Sequence, residues 1–358
     1  MGLKLTPSSS QHDLLGFEGF FGAEDIIPST KRAVLSIICR IFDPLGLIGP
    51  YILQAKILFQ EIWRLGLSWD TSLPEDMATE FQAWLESGES LKGLYLARAY
   101  FPGLAWRPIE HQVEIHAFGD ASERAYGACL YLRVWTKTGY RVALVMSRTR
   151  VAPIKKVSLP RLELLSSLLC ARMAEYVRAA LGVEGTKITC YTDSTASLWW
   201  IKGDPLRFKT FVANRVSEIQ TLVPPGQWQH CPGIYNPADI ASRGLRGHEL
   251  AASDIWINGP TWLNQYGSFP HADKVSPQPP LSINKETKTV TCLANAIHYT
   301  FCDFSRYSLL SKIINIVARV SRFANNCKPH GVKLVGPLSV EERVDAETHL
   351  WRILQYEA

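Results

Sequence analysis

The sequence lacks closely spaced pairs of cysteines. Its eight cysteines are scattered without a Cys-x-x-Cys pair, and several lie in apolar runs such as "LSIIC" and "SLLCA". This distribution is typical of reduced, buried thiols in an intracellular protein and argues against a disulfide framework or a zinc site. A metal cluster around Cys292, His298 and Cys302 would lack a fourth ligand at a recognised spacing.

The sequence also lacks a secretory signal and a membrane-spanning run. Its start, "MGLKLTPSSS", has neither the basic nor the apolar segment of a signal peptide, and its match to the Gly2 myristoylation pattern is of a kind that arises by chance. The most apolar region, residues 33–59, is interrupted by charged residues and prolines, namely Arg40, Asp43, Pro44 and Pro50. We therefore expect a protein that is neither secreted nor inserted in a membrane.

The chain does contain enough apolar sequence for more than one core. At 358 residues with 47% hydrophobic residues, it has room for about two domains. Its net charge of +5 is a mild excess, compatible with a polyanionic partner and equally with an ordinary basic-leaning protein. Composition alone leaves the function open.

The residue patterns predict five segments. These are a polar N-terminal segment at 1–29, a helical module at 30–108, an α/β domain at 110–246, a Pro- and Ser-rich linker at 247–290 and a helical segment at 291–358. In the helical module, "PSTKRAVLSIICRIF" predicts a helix capped by Ser29 or Thr30, and two more helices follow the turn "DPLGLIGP". In the last segment, Ser339 and Glu342 spell a capping box.

The α/β domain begins with three predicted strands. "HQVEIHAFGDAS" alternates apolar and polar residues, "GACLYLRVWT" and "YRVALVMSRTRV" have strand-like composition, and Thr138-Gly139 lies between them as a hairpin turn. A long helix follows, opened by Pro160 and closed by Gly182, with a core stripe of Leu162, Leu165, Leu169, Met173, Tyr176 and Val177. The strands "KITCYT" and "QWQHC", with further helices, complete the order β-β-β-α-β-α-α-β-α, an α/β layer fold.

Asp193, in "YTDSTASLWW", lies where a predicted strand gives way to a helix. It is either an N-cap for the helix or a metal-binding carboxylate. Three more acids lie at element boundaries: Asp120 in "AFGDAS", Glu163 in the first turn of the long helix in "LPRLELL", and Asp239 in "NPADIASRG". Each alone is explained as a turn, first-turn or capping residue. If all four meet at one edge of the sheet, cations are needed to offset their repulsion.

These four motifs, in this order over residues 115–244, resemble those of a retroelement ribonuclease H domain. The resemblance implies a ribonuclease H-like five-stranded mixed sheet with flanking helices. It also implies hydrolysis of the RNA strand of RNA–DNA hybrids by a catalytic, metal-binding set, Asp120, Glu163, Asp193 and Asp239. Two Mg2+ ions, or Mn2+ in their place, would be the cofactors.

The flanking segments narrow the resemblance to BEL/Pao retrotransposon polyproteins. "TKRAVLSIICRIFDPLGLIGP" with "AKILFQEIWRLGLSWD" is similar to their reverse transcriptase thumb or connection, and "INGPTWL" with "GPLSVEERVDAETHL" to the stretch before their integrase. This region is sometimes called a Pao retrotransposon peptidase, but no Asp-Thr/Ser-Gly triplet occurs, so we do not expect proteolysis. A Tyr-x-Asp-Asp motif and the integrase zinc ligands and acidic core are also missing. The resemblance implies a polyprotein fragment in the cytoplasm, in retroelement particles or in the nucleus, with a reverse transcriptase palm as partner.

A surface that binds hybrid should contact phosphates and sugars. The candidates are Ser122, Arg148, Arg150, Lys155, Lys156, Arg161, Lys202, Arg207 and Lys209. The basic residues among them are equally explained as solvated surface. His230, at a strand end, either assists product release or is structural. The rival to an active nuclease is a decayed or host-retained fragment that only binds nucleic acid or protein.

Overall fold

The computed structural model describes residues 2–6, 13–18, 29–104, 113–183, 185–265, 286–288, 307–328 and 332–357. The chain divides into two compact units, Met1–Lys288 and Thr289–Ala358, and each is described by itself. Among the described residues, no helix is long and apolar enough to cross a membrane.

The first unit mixes strands and helices along its whole described length. Its strands are β1 Gly2–Thr6, β2 Leu14–Glu18, β3 Tyr95–Ala97, β4 Val113–Ala121, β5 Ala125–Thr136, β6 Gly139–Val151, β7 Lys187–Thr192 and β8 Trp228–His230. Its α-helices are α1 Lys31–Cys39, α2 Gly49–Arg64, α3 Glu75–Ser87, α4 Leu159–Ala180, α5 Thr195–Lys202, α6 Thr210–Leu222, α7 Ala238–Arg243, α8 Gly247–Ala251 and α9 Asp254–Ile257.

The central sheet has five strands in the order β6-β5-β4-β7-β8. β4 pairs antiparallel with β5 and β5 with β6, whereas β4 with β7 and β7 with β8 are parallel. The predicted α/β class and five-stranded mixed sheet are confirmed. The hairpin turn lies one residue earlier than predicted, at Lys137 and Thr138, because Gly139 already pairs with Thr136.

α4 covers one face of the sheet. As predicted, Pro160 lies in its first turn, where a missing N–H costs nothing, and Gly182 follows its end with a φ of +62°. The predicted core stripe was wrong at Leu165, which is only partly buried, and at Tyr176, which is 65% exposed. The buried face of α4 instead includes Leu164, Leu168 and Ala171. The buried side chains of α4 include Leu162, Leu164, Leu168, Cys170, Ala171, Met173, Ala174 and Val177.

α2 and α7 pack on the opposite face of the sheet, and α1 and α3 pack on α2. Phe118, Tyr131 and Tyr191 of the sheet belong to the same hydrophobic core as Val34 of α1 and Tyr51 of α2. The helices predicted as a separate module therefore share a core with the sheet. The predicted boundary near residue 109 lies outside the described residues.

The N-terminal segment, predicted to be polar, contributes to a second sheet. β2 pairs antiparallel with both β1 and β3, which gives the order β1-β2-β3. Phe17 of β2 is fully buried and belongs to the core that α1 and α2 share with the central sheet. Short strands of this kind leave little periodicity in the sequence, since five residues give only two or three alternations.

Residues 247–265, predicted as the start of a linker, are packed rather than extended. The helices α8 and α9 and the 3-10 turn Thr261–Asn264 bury four apolar side chains, Leu250, Trp256, Trp262 and Leu263. The Arg133 guanidinium donates to the carbonyl oxygens of Leu263 at 2.6 Å and Gln265 at 2.8 Å. The large apolar residues among the polar ones fix this segment to the core.

The second unit contains two described helices, α10 Leu310–Asn326 and α11 Val340–Glu357. They pack on each other through a small core, Ile313, Val317, Ala318, Ala346 and Leu350. The predicted capping box is confirmed, because the Glu342 N–H donates to Ser339 Oγ and the Ser339 N–H donates to the Glu342 carboxylate. Arg322 of α10 pairs with the same carboxylate.

Candidate active site

The parallel strands β4 and β7 place two of the predicted acids side by side. Gly119 of β4 lies opposite Thr192 of β7, so the residues that follow them, Asp120 and Asp193, lie at the same edge of the sheet. Asp120 points to the same face as Phe118, two positions earlier, which is the face that α7 covers. The Asp120 side chain is buried, and Asp193 is partly buried.

Ser194, and not Asp193, caps α5. The Ser194 Oγ accepts a hydrogen bond from the Ser197 N–H at 3.0 Å, which satisfies one of the free donors at the helix start. The capping explanation of Asp193 is therefore wrong. The same Ser194 hydroxyl donates to the Glu163 carboxylate, so it joins the start of α5 to α4.

Glu163 lies in α4 but outside its first turn. The helix begins at Leu159, so Glu163 is its fifth residue, and the first turn contains no acid. The prediction that Glu163 is a first-turn acid was wrong. Because the helix dipole acts mainly within the first turn, it does not account for an acid at this position. The bond from Ser194 instead holds the Glu163 carboxylate near the end of β7.

Asp239 lies in the first turn of α7, as predicted. Its carboxylate accepts a hydrogen bond from Arg243 Nε at 2.5 Å, an i to i+4 ion pair whose guanidinium is largely exposed. α7 is tied to β4 at both ends. Before the helix, the Asn236 side chain donates to the Gly119 carbonyl at 3.2 Å. At its other end, the Ser242 hydroxyl donates to the Asp120 carboxylate.

The sequence-based prediction missed the polar residues that hold the acids. Ser194, Asn236, Ser242 and Arg243 all stand within a few positions of a predicted acid, in "TDSTA" and "NPADIASRG". Spacing along α7 could have indicated Ser242 and Arg243, since residues three and four positions after Asp239 share its side of the helix. The Ser242 bond to β4 and the Ser194 bond to α4 depend on tertiary packing and leave no trace in the sequence.

The four acids influence one another electrostatically. Burial, and then the neighbouring carboxylates of Asp193 and Asp239, raise the pKa of Asp120 to about 7, against the opposing effect of the Ser242 hydrogen bond. Burial and the charge of Glu163 raise the pKa of Asp193, and burial with the charge of Asp120 raises that of Glu163. The structure therefore brings all four predicted acids to one edge of the sheet.

The chemistry of the donor set fits a hard divalent cation, because Mg2+ prefers carboxylate oxygens. As they stand, however, the residues that the structure describes contain no group of three or more His, Cys, Asp or Glu side chains arranged to hold a metal ion. Ser242 engages Asp120, Ser194 engages Glu163, and Arg243 engages Asp239, each through one carboxylate oxygen. Each of these carboxylates has a second oxygen that could bind a cation.

The predicted nucleic-acid contacts fall into two groups. Seven are exposed on the surface: Arg148, Arg150, Lys155, Lys156, Lys202, Arg207 and Lys209. Ser122 and Arg161 are partly buried and already bonded within the chain. The Ser122 hydroxyl donates to the carbonyl oxygen of Ser242 at 2.9 Å, so Ser122 supports the end of α7. Arg161 forms an ion pair with Glu286. Contact of any of these residues with nucleic acid stays a prediction.

His230 lies at the end of β8, beside the predicted acids. Its Nε2 is 3.1 Å from the Asp193 backbone carbonyl oxygen, while its Nδ1 is buried and has no hydrogen-bond partner among the described residues. The backbone contact is a structural role for this side chain. Its assistance to product release stays a prediction.

Comparison with known proteins gives one family match, to residues 30–194, described as the Pao retrotransposon-like RNaseH-like domain. This match includes Asp120, Glu163 and Asp193 and ends before Asp239. A solved structure, the N-terminal RNase H domain of a Mycobacterium tuberculosis protein fused to maltose-binding protein, is 16% identical; the match covers 39% of this chain and 95% of that chain, with a TM-score of 0.26. No curated protein matches the chain. Residues 30–194 thus match the model of the Pao retrotransposon-like RNaseH-like domain, the family that the motifs resemble.

Proposed function

We propose that this chain is a metal-dependent endonuclease of the ribonuclease H type, which cleaves the RNA strand of RNA–DNA hybrids. One observation carries the proposal: acids from β4, α4, the end of β7 and α7 converge on one edge of the sheet, where burial and neighbouring carboxylates raise the pKa values of Asp120, Glu163 and Asp193. Carboxylates that repel one another in the free chain are suited to bind cations.

Asp120, Glu163, Asp193 and Asp239 would hold Mg2+, or Mn2+, through their carboxylate oxygens. When bound, the ions supply an activated water and stabilise the leaving oxygen of a phosphodiester. The chain's own hydroxyls orient two of the carboxylates, and a guanidinium neutralises a third. In the metal-free chain, these hydrogen bonds reduce the repulsion among the acids.

The substrate class follows from the family and from the exposed basic residues. Lys155 and Lys156 stand just before α4, and Lys202 ends α5, so both helices that adjoin the acids have cations near them. Cations in such positions suit the phosphates of a nucleic-acid backbone. We propose that a reverse transcriptase palm, on another chain or in a longer polyprotein, presents the hybrid.

A second candidate is a module that binds nucleic acid without cleaving it. The arrangement of the acids favours this candidate, because three of them are engaged by neighbouring side chains and no metal-binding group stands ready among the described residues. In this case the basic surface would bind the phosphate backbone while the carboxylates stay paired within the chain.

Incubation of the purified chain with a labelled RNA–DNA hybrid and Mg2+ separates the two candidates. We expect cleavage of the RNA strand by the wild type. In Asp193→Asn we expect a loss greater than about 100-fold, since removing residues that only support metal ligands already costs 10–100-fold. Asp254→Asn is the matched control, because Asp254 is exposed in α9 and should leave cleavage unchanged. Binding of the hybrid without cleavage by the wild type would reject the nuclease and support the binding module.

A further inference from the structure

One of the predicted phosphate contacts is already occupied by an acid from a distant part of the chain. Arg161, in the first turn of α4, donates from Nε to one Glu286 carboxylate oxygen at 2.8 Å and from a terminal nitrogen to the other at 3.0 Å. The Glu286 side chain is 11% exposed and that of Arg161 is 34% exposed. This two-pronged geometry is the one in which a guanidinium also binds a phosphate group.

An aromatic ring supports the guanidinium. The Arg161 guanidinium carbon lies 4.7 Å from the centre of the Phe211 ring, and that of Arg215 lies 3.6 Å from the same centre. The Arg215 side chain also donates to the Phe211 carbonyl at 2.8 Å, which fixes its position in α6. Two cations thus share one ring, and Glu286 pairs with one of them, Arg161.

Backbone pairing holds Glu286 beside Arg161. The Lys209 N–H donates to the Glu286 carbonyl at 2.7 Å, and the Lys288 N–H donates to the Arg207 carbonyl at 2.8 Å. Between these bonds, Phe208 and Thr287 form an antiparallel bridge. Residues 286–288 therefore form a short strap, named here the Glu286 strap, along the loop between α5 and α6. Arg207 and Lys209 on that loop keep exposed side chains.

We infer that Arg161, Arg215 and Phe211 form a binding site for a backbone phosphate of the nucleic-acid substrate, and that the Glu286 strap occupies this site in the free chain. The inference rests on the proposed function for the identity of the substrate. A carboxylate and a phosphodiester offer the same pair of oxygens to a guanidinium, so they compete for it. The surrounding cations, Arg207 and Lys209, favour the ligand that brings more negative charge.

The position of Arg161 determines which step this site serves. Arg161 and Glu163 are two residues apart in α4, which places them about 3 Å apart along the axis and about 200° apart around it. The two side chains therefore point to different sides of the helix. A phosphate at Arg161 is not the one that is cleaved, so the site changes hybrid affinity and KM and leaves kcat nearly unchanged.

The test is a titration of a fluorescent RNA–DNA hybrid with the full chain, followed by anisotropy over a series of salt concentrations without divalent metal. Glu286→Gln frees Arg161 and should tighten binding about threefold to fivefold, the size of a partly exposed ion pair. It should also steepen the dependence of log K on log salt by about 0.9, for one additional phosphate contact. The double variant Arg161→Gln/Glu286→Gln should lose the gain. Glu89→Gln, which breaks the exposed pair with Lys92, is the control and should not produce it.

Thermal unfolding of each variant checks that the fold is intact, and Glu286→Ala replaces Glu286→Gln if the latter does not fold. Equal affinity of the wild type and Glu286→Gln, or a gain that persists without Arg161, rejects the inference. A cleavage assay with Mg2+ keeps the two proposals apart. If the wild type cleaves the hybrid but Glu286→Gln binds no tighter, the inference alone is wrong. If Glu286→Gln binds tighter and nothing is cleaved, the nuclease proposal alone is wrong.

Discussion

Asp120→Asn should stabilise the metal-free chain at neutral and alkaline pH. Asp120 is buried at the end of β4, and burial, with the charges of Asp193 and Asp239, raises its pKa from an ordinary 3.8 to about 7. The ionised carboxylate is therefore unfavourable in the folded chain. An asparagine has nearly the same shape, can accept the hydrogen bond from Ser242, and carries no charge.

The sign and size of the effect follow from the two pKa values. Between pH 4 and pH 7 the folded chain binds more protons at this site than the unfolded chain, so the free energy of unfolding falls as pH rises through this window. At 1.36 kcal/mol for each tenfold step, a pKa of about 7 against 3.8 corresponds to about 4 kcal/mol at most. We expect Asp120→Asn to exceed the wild type by about 2–4 kcal/mol at pH 8 and to match it at pH 4.

Urea unfolding in EDTA at pH 4, 6 and 8 measures this difference. Fully buried tryptophans of the first unit report its unfolding by fluorescence: Trp84, Trp200, Trp228 and Trp256. Asp254→Asn, at an exposed position, should show no such pH dependence. A difference between Asp120→Asn and the wild type that stays constant from pH 4 to pH 8 would refute the assignment of a raised pKa to Asp120. Addition of Mg2+ should reverse the order, since the proposed ions bind only the wild-type carboxylate.

Two further substitutions test the packing that supports the site. Gly127→Ala should lower the free energy of unfolding by about 1–3 kcal/mol, because the added Cβ would lie 2.6 Å from the Ala241 carbonyl oxygen of α7. Gly226→Ala, with no atom within 4 Å of the added Cβ, is its control in urea unfolding, and equal stability of the two variants would contradict the reasoning. Ser194→Ala removes the α5 cap and should cost about 1 kcal/mol. Ser253→Ala, at the N-cap of α9, where the side chain forms no cap hydrogen bond, provides the comparison in thermal unfolding. If Ser253→Ala loses as much stability as Ser194→Ala, the cap hydrogen bond is not the cause of the destabilisation.

The elements of the fold with strong local signals were predictable. Pro160, Gly182 and the helical spacing of apolar residues over 22 positions predict α4. Alternation or apolar runs predict the strands β4 to β7. Prediction failed where packing overrides local pattern. Tyr176 is partly apolar and stands at a helical interval from the core residues of α4, yet its side chain is 65% exposed. Residues 247–265 contain a proline and many polar residues, yet their buried tryptophans, Trp256 and Trp262, fix them to the core.

The candidate site was also predictable only in part. The four acids were found because each stands in a recognisable motif at the boundary of a strand or helix. The hydroxyls that hold them were not found, because Ser194 and Ser242 are ordinary residues until the fold brings each to an acid on another element. The Glu286 strap was equally invisible, since more than a hundred positions separate Glu286 from Arg161.

The sequence by itself determined the set of acids, the order of the strands and helices in the α/β domain, and the family resemblance, because these depend on residue type and local spacing. The tertiary structure decided which serine caps α5, which carboxylates are engaged by neighbours, and which arginine is already paired. These outcomes depend on distances between elements that are far apart in the chain. The tertiary structure also raises the pKa of Asp120, because folding excludes water from its carboxyl group and brings the charges of other acids near it.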